Sequence, residues 1–140
     1  ELHARSEILL EAYGHEKNIE AKSMINMAKR QIMPAAIEYA QKLAGSVNAV
    51  TSAGVTSTAQ KKMLEKFCSL IDDLDENIAK LEAAVAEAAQ IDDIPEKAEC
   101  YRDRVVAAMN AVRSSSDEIE TCVDAKIWPL PTYAEMLFLK

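Results

Sequence analysis

Glycine is scarce in this chain, with three in 140 residues, and so are proline, with four, and aromatics, with one Trp, four Tyr and two Phe. Sheet proteins draw on β-branched and aromatic residues and on frequent turns, so this shortage argues against an all-β or doubly wound fold. Positive charge is also in deficit. Sixteen Lys and Arg face 23 Asp and Glu, for a net charge of −7, which argues against a general nucleic-acid or anionic-membrane binder. Cysteine is sparse and odd in number: Cys68, Cys100 and Cys122 form no C-x-x-C pair and fit a reducing cytoplasm better than a disulfide framework. The longest uncharged stretch, Leu43 to Gln60, is full of Ser, Thr, Asn and Gly and cannot span a membrane. The N-terminus has no signal-peptide pattern; it opens Glu1-Leu2-His3-Ala4-Arg5, already charged and helix-like, without an initiator Met. We therefore expect a piece of a longer chain.

What is present is alanine, 23 times, within a globular mix of 49% hydrophobic and 28% charged residues. The length allows one domain. Helical punctuation divides it. A first helix is expected over about 2–44, ending at Gly45 as a left-handed cap. Ala21, Ile25, Ala28, Ile32, Ala35, Tyr39 and Leu43 share one of its faces, widened by Met24, Met27 and Met33. Gly14 weakens its first half, and Pro34 should kink it near Arg30 to Met33. Residues 45–57 read as a linker, and Ser57 with Gln60 as a capping box.

A second helix, about 58–90, carries Leu64, Phe67, Ile71, Leu74, Ile78, Leu81, Val85 and Ala88 at alternating steps of three and four, a heptad seam. Asp93, Pro95 and Glu96 start a third, about 94–125. It repeats the spacing at Ala98, Tyr101, Val105, Ala108, Val112, Ser115, Ile119 and Cys122. A short turn at 90–93 forces these two helices into a hairpin. Thr132 with Glu135 caps a short last helix, 133–139. The expected fold is all-α: a single domain, 1–140, built as an antiparallel up-down-up bundle of three long helices.

Catalytic patterns fail one by one. His3 and His15 belong to no H-E-x-x-H, and no Glu-x-x-His pair supports a di-iron bundle. Asp72, Asp73, Asp75 and Glu76 flank seam residues and belong on the solvent face. The basic pairs Lys29-Arg30, Lys61-Lys62 and Arg102 with Arg104 suit salt bridges to neighbouring helices. Cys68 and Cys122 read as core thiols. No catalytic, cofactor or metal residue is assigned. Two stretches stand out instead. Met24, Met27, Arg30 and Met33 form an apolar band broken by a basic pair, which reads either as core around the proline or as a docking face. Trp128, Pro129, Pro131 and Tyr133 make a stiff aromatic tail that folds back on the bundle or docks outside it.

These stretches also carry a family resemblance. The run M-I-N-M-A-K-R-Q-I-M-P-A (24–35), preceded by N-I-E-A (18–21), resembles the C-terminal region of type III glutamine synthetases. So does the opening E-L-H-A-R-S-E-I (1–8), although Ser6 stands where the family would have an aromatic. The ending V-D-A-K-I-W-P-L-P-T-Y (123–133) is similar to that family's W-P-x-P-T-Y signature, while 45–92 match only in pattern. The resemblance implies a parent ligase joining ammonia to glutamate with ATP and Mg2+ or Mn2+, cytoplasmic and assembled as a large double-ring homo-oligomer. Its ligands would lie in a catalytic domain before Glu1, and none maps onto these residues. The role implied here is structural, with the catalytic domain of the same chain and neighbouring subunits as partners, and neither nucleic acid nor membrane. The alternative is a free-standing helical adaptor that binds a partner helix in a methionine-lined groove.

Overall fold

A computed structural model of the chain describes residues 2–131, whose regular structure is all helical, with no strand among the described residues. Three rods make the fold. The first consists of α1 (Leu2–Met27), a π-helical turn (Ala28–Ile32) and α2 (Met33–Ser52). The second is α3 (Thr58–Ala89). The third consists of α4 (Ile94–Cys100), a second π-helical turn (Tyr101–Val105) and α5 (Val106–Glu120). At 1.5 Å per residue the first rod spans roughly 75 Å. The expected short helix over 133–139 lies outside the described residues.

The first rod outruns its predicted end. Gly45 is helical, and the chain turns nine residues later at Gly54, whose φ is +81°. There the Gly54 N–H donates to the Thr51 carbonyl at 3.0 Å and the Val55 N–H to the Val50 carbonyl at 3.2 Å. This paired pattern is a Schellman cap, with glycine where φ must be positive. Helical glycine at 45 costs about 1 kcal/mol, and burial of Val47 beyond it works against that cost.

Pro34 sits in the first turn of α2, directly after the π turn. The Met33 N–H donates to the Ala28 carbonyl, five residues back. The helix thus takes up the missing proline donor by inserting a wider turn.

The start of α3 also departs from expectation. Ser57 is buried and its hydroxyl makes no cap bond, while the Gln60 amide reaches back to Ser46 Oγ at 2.9 Å. The capping box is therefore replaced by a bond across the α2–α3 loop. At Asp93 the prediction holds: its carboxylate accepts the Glu96 N–H at 3.1 Å, and Pro95 occupies the first turn. The third rod ends at Glu120 rather than 125. The Val123 N–H returns to the Ile119 carbonyl, and Asp124 begins a new turn.

The core lies between the rods. Phe67, Leu74, Leu81, Val105, Val112 and Ile119 are its largest enclosed side chains. On α3, Leu70 is buried and Ile71 only partly so; on α5, Met109 takes the inward place expected of Ala108. Buried α3 positions 67, 70, 74 and 78 step by 3, 4 and 4, an eleven-residue phase at the start of the helix, whereas 74, 78, 81, 85 and 88 keep the expected heptad steps. Ala21, Ala28, Ile32 and Ala36 bring the first rod onto this core, and Tyr39 meets Phe67 edge to face at 5.1 Å. Tyr101, one of the third rod's inward residues, lies against Gly14. A Cβ at that glycine would come within 3.3 Å of the ring, a tight contact that would need the ring to shift by a few tenths of an ångström.

Candidate functional site

The methionine band divides by depth. Met24 and Met33 are half-buried against the core, whereas Met27 and Arg30 face outward. Between them Ala28 and Ile32 turn fully inward, because the π turn resets the phase of the buried face. The neighbouring Lys29 pairs with Glu82 of α3 at 2.7 Å. In the same way Arg104 of the second π turn pairs with Glu87 of α3. Both π turns are thus tied by a cation to one stretch of α3; of the basic pairs expected to bridge helices, Lys29 and Arg104 do so, while Arg102 pairs with Glu99 and Asp103 of its own rod.

The tail folds back. Trp128 is 8% exposed and belongs to the core cluster, with Ile127 and Leu130 packed beside it, while Pro129 and Pro131 are exposed. Tyr133 lies outside the described residues. Asp124 makes the turn that returns the tail. Its carbonyl accepts the N–H groups of Ile127 at 2.9 Å and Trp128 at 3.2 Å, and its carboxylate accepts the Lys126 N–H at 3.0 Å. Lys42 of α2 lies 3.5 Å from that carboxylate. The Lys126 hydrogen bond, with help from the Lys42 charge, holds the Asp124 carboxyl below its ordinary value. The sequence signal for this residue was its place in V-D-A-K-I-W-P, an Asp two to four residues before the groups it caps.

A third surface was not picked out by its residues alone. Near the start of α1, Leu2, Ile8 and Leu9 are 82%, 66% and 71% exposed, and Ile19 is also open. Ile8 and Leu9 are adjacent, about 100° apart around the helix, so together they open a broad apolar face. The Asp72, Asp73, Asp75 and Glu76 group lies on the solvent face of α3. Cys100 is buried, and burial pushes its thiol pKa up, away from nucleophilic thiolate. Among the described residues no three His, Cys, Asp or Glu side chains gather as a metal-holding group, and no helix is long and apolar enough to cross a membrane.

The arrangement is an all-helical domain with apolar side chains left open at one end of its longest rod. The comparisons with known proteins narrow the class. Residues 1–51, the first rod almost to its end, match the glutamine synthetase C-terminal domain family. Over its whole length the chain is 30% identical to the type-3 glutamine synthetase of Dictyostelium discoideum. It is 27% identical to the glutamine synthetase of Bacteroides fragilis, also over its full length. A third relative, the glutamine synthetase of Butyrivibrio fibrisolvens, is 27% identical over 99% of the chain. In each case the chain spans 20% of the relative's length. These matches bear out the resemblance carried by the end motifs: the chain is similar to type-3 glutamine synthetases throughout, and its first rod carries the match to their C-terminal domain family.

Proposed function

We propose that this chain is a non-catalytic, oligomer-supporting C-terminal domain of a glutamine synthetase. The parent would be a cytoplasmic homo-oligomer that joins ammonia to glutamate in nitrogen assimilation, using ATP and Mg2+ or Mn2+. The described residues bring together no donor set suited to that metal, and no step of the reaction is assigned to them. In this reading the rods run up, down and up. Pairs whose numbers rise on one rod as they fall on the next support it: Ser46 with Gln60, Tyr39 with Phe67, Glu87 with Arg104, and Asn77 with Ser115 at 2.6 Å.

The observation that carries the proposal is the open apolar end of α1 within the family-matched residues. Burying a leucine or isoleucine contributes about 1.5–3 kcal/mol, so Leu2, Ile8 and Leu9 form a ready docking face for the catalytic domain of the same chain or a neighbouring subunit. Met27 and Arg30, over the half-buried Met24 and Met33, and Pro129 and Pro131, held by Trp128 and continuing to Tyr133, form the other contact candidates. The test places Ile8→Glu with Leu9→Glu in the full-length parent and reads assembly mass by light scattering. The expected result is a smaller assembly or a lower melting temperature. An unchanged mass together with unchanged melting would sink the docking role.

A further inference from the structure

Between α1, α3 and α4 lies a groove of about 550 Å3, set over the edge of the core at Val85 and Tyr101 and apart from the docking face. Ile25, Val85 and Ala86 give it an apolar floor, with Lys22, Lys97 and Tyr101 at its edges. A second cavity, of about 260 Å3, shares Asn18, Lys97 and Tyr101 in its lining. One wall is fixed: the Tyr101 hydroxyl donates to Asn18 Oδ1 at 3.4 Å, and its ring is wedged against Gly14.

The charges in this groove run against those of the whole chain. Its carboxylate, Glu82, is taken by Lys29. Lys22 and Lys97 enter no ion pair among the described residues, although the chain carries a net charge of −7. Glu11 and His15 line the second cavity, where Lys97 is also found, and are not part of the groove's own lining. Two ammonium groups beside an apolar floor are a receptor for a charged head with an apolar body. The groove is also bracketed by both π turns. Tyr101 opens the second, and Ile25 comes three residues before the first. Such turns recur at functional sites.

We propose that this groove binds a small amphipathic organic anion, its charged head between Lys22 and Lys97 and its apolar body on Ile25, Val85 and Ala86. The inference is independent of the docking role, which uses other residues.

The probe is the aromatic sulfonate 1-anilinonaphthalene-8-sulfonate, titrated into the chain and followed by fluorescence. Lys22→Gln with Lys97→Gln should weaken its saturable binding at least tenfold, while the exposed Lys61→Gln should leave it unchanged. Both lysine changes lie off the core, and circular dichroism verifies that each variant stays helical. Octanoate should displace the dye, and inorganic phosphate at equal concentration should not. Binding that is absent, that ignores the double lysine change, that falls instead with Leu9→Glu, or that phosphate displaces as well as octanoate would overturn the proposal.

Discussion

The two halves of the first rod both carry leucine, isoleucine and alanine but bury them unequally. In α2, Ala35, Ala36 and Val47 are buried, and Tyr39 stands edge-on to Phe67. In the opening turns of α1, Leu2, Ile8 and Leu9 stand in solvent. Neighbours make the difference. α2 has α3 alongside it, whereas α1 meets the short α4 through the stretch around Leu10, Tyr13 and Gly14 and reaches past it. The proposed docking role rests on this contrast, since contiguous apolar surface is where contacts with other chains form.

The largest effect that could break this contrast comes from paired truncations. Leu81→Ala or Ile119→Ala, at fully enclosed positions, should destabilise the chain by about 2–5 kcal/mol. Leu9→Ala should change it by less than about 0.5 kcal/mol. Urea unfolding measures both, and comparable losses would mean that the start of α1 is packed after all. The next effect sharpens where the closed part begins. At Gly14 a larger side chain must displace the Tyr101 ring, so Gly14→Leu should cost about 1–3 kcal/mol through overpacking. Gly14→Ala should come out much nearer neutral. Its Cβ would sit 3.3 Å from the ring, and the gain in helix propensity, about 1 kcal/mol, opposes that crowding.

The smallest effect concerns pH and the tail. The folded Asp124 carboxyl titrates below its ordinary value because the Lys126 N–H and the Lys42 charge favour the anion. Its contribution is therefore complete above the unfolded value of about 4 and is lost as pH falls through the lower folded value. Trp128 is the only tryptophan, so its emission reports the tail alone. It should shift to the red in that acid window while circular dichroism still shows helix. Emission that holds steady until the whole bundle unfolds would remove Asp124 from the account.

Most of the helical framework could be read from the sequence because periodicity and caps are local. The turn at 90–93, the Asp93 cap and the inward Phe67, Leu74, Ile78 and Leu81 follow from spacing and side-chain chemistry alone. The misjudged points are those that tertiary contacts decide. Gly45 and Gly54 are equally good stops by composition, and packing of Val47 favours the second. Ser57 and Gln60 have capping-box spacing, yet Ser46 across the loop takes the glutamine. Gly14 reads as a weakness in a helix until Tyr101 is seen against it, 87 residues along the chain. The methionine band and the tail were visible as unusual composition, but their division into buried and open residues depends on the π turn and on Asp124. The exposed start of α1 left no local sign, since Ile8 and Leu9 are ordinary helix residues until a neighbour fails to cover them.

The docking claim is tested most directly by hydrogen exchange, comparing this chain alone with the same residues inside the parent assembly. The account predicts that amides of 2–12 exchange quickly in the isolated chain and become protected in the assembly, while those of 67–88 and 105–119 are slow in both. Equal exchange at 2–12 in the two states would contradict it.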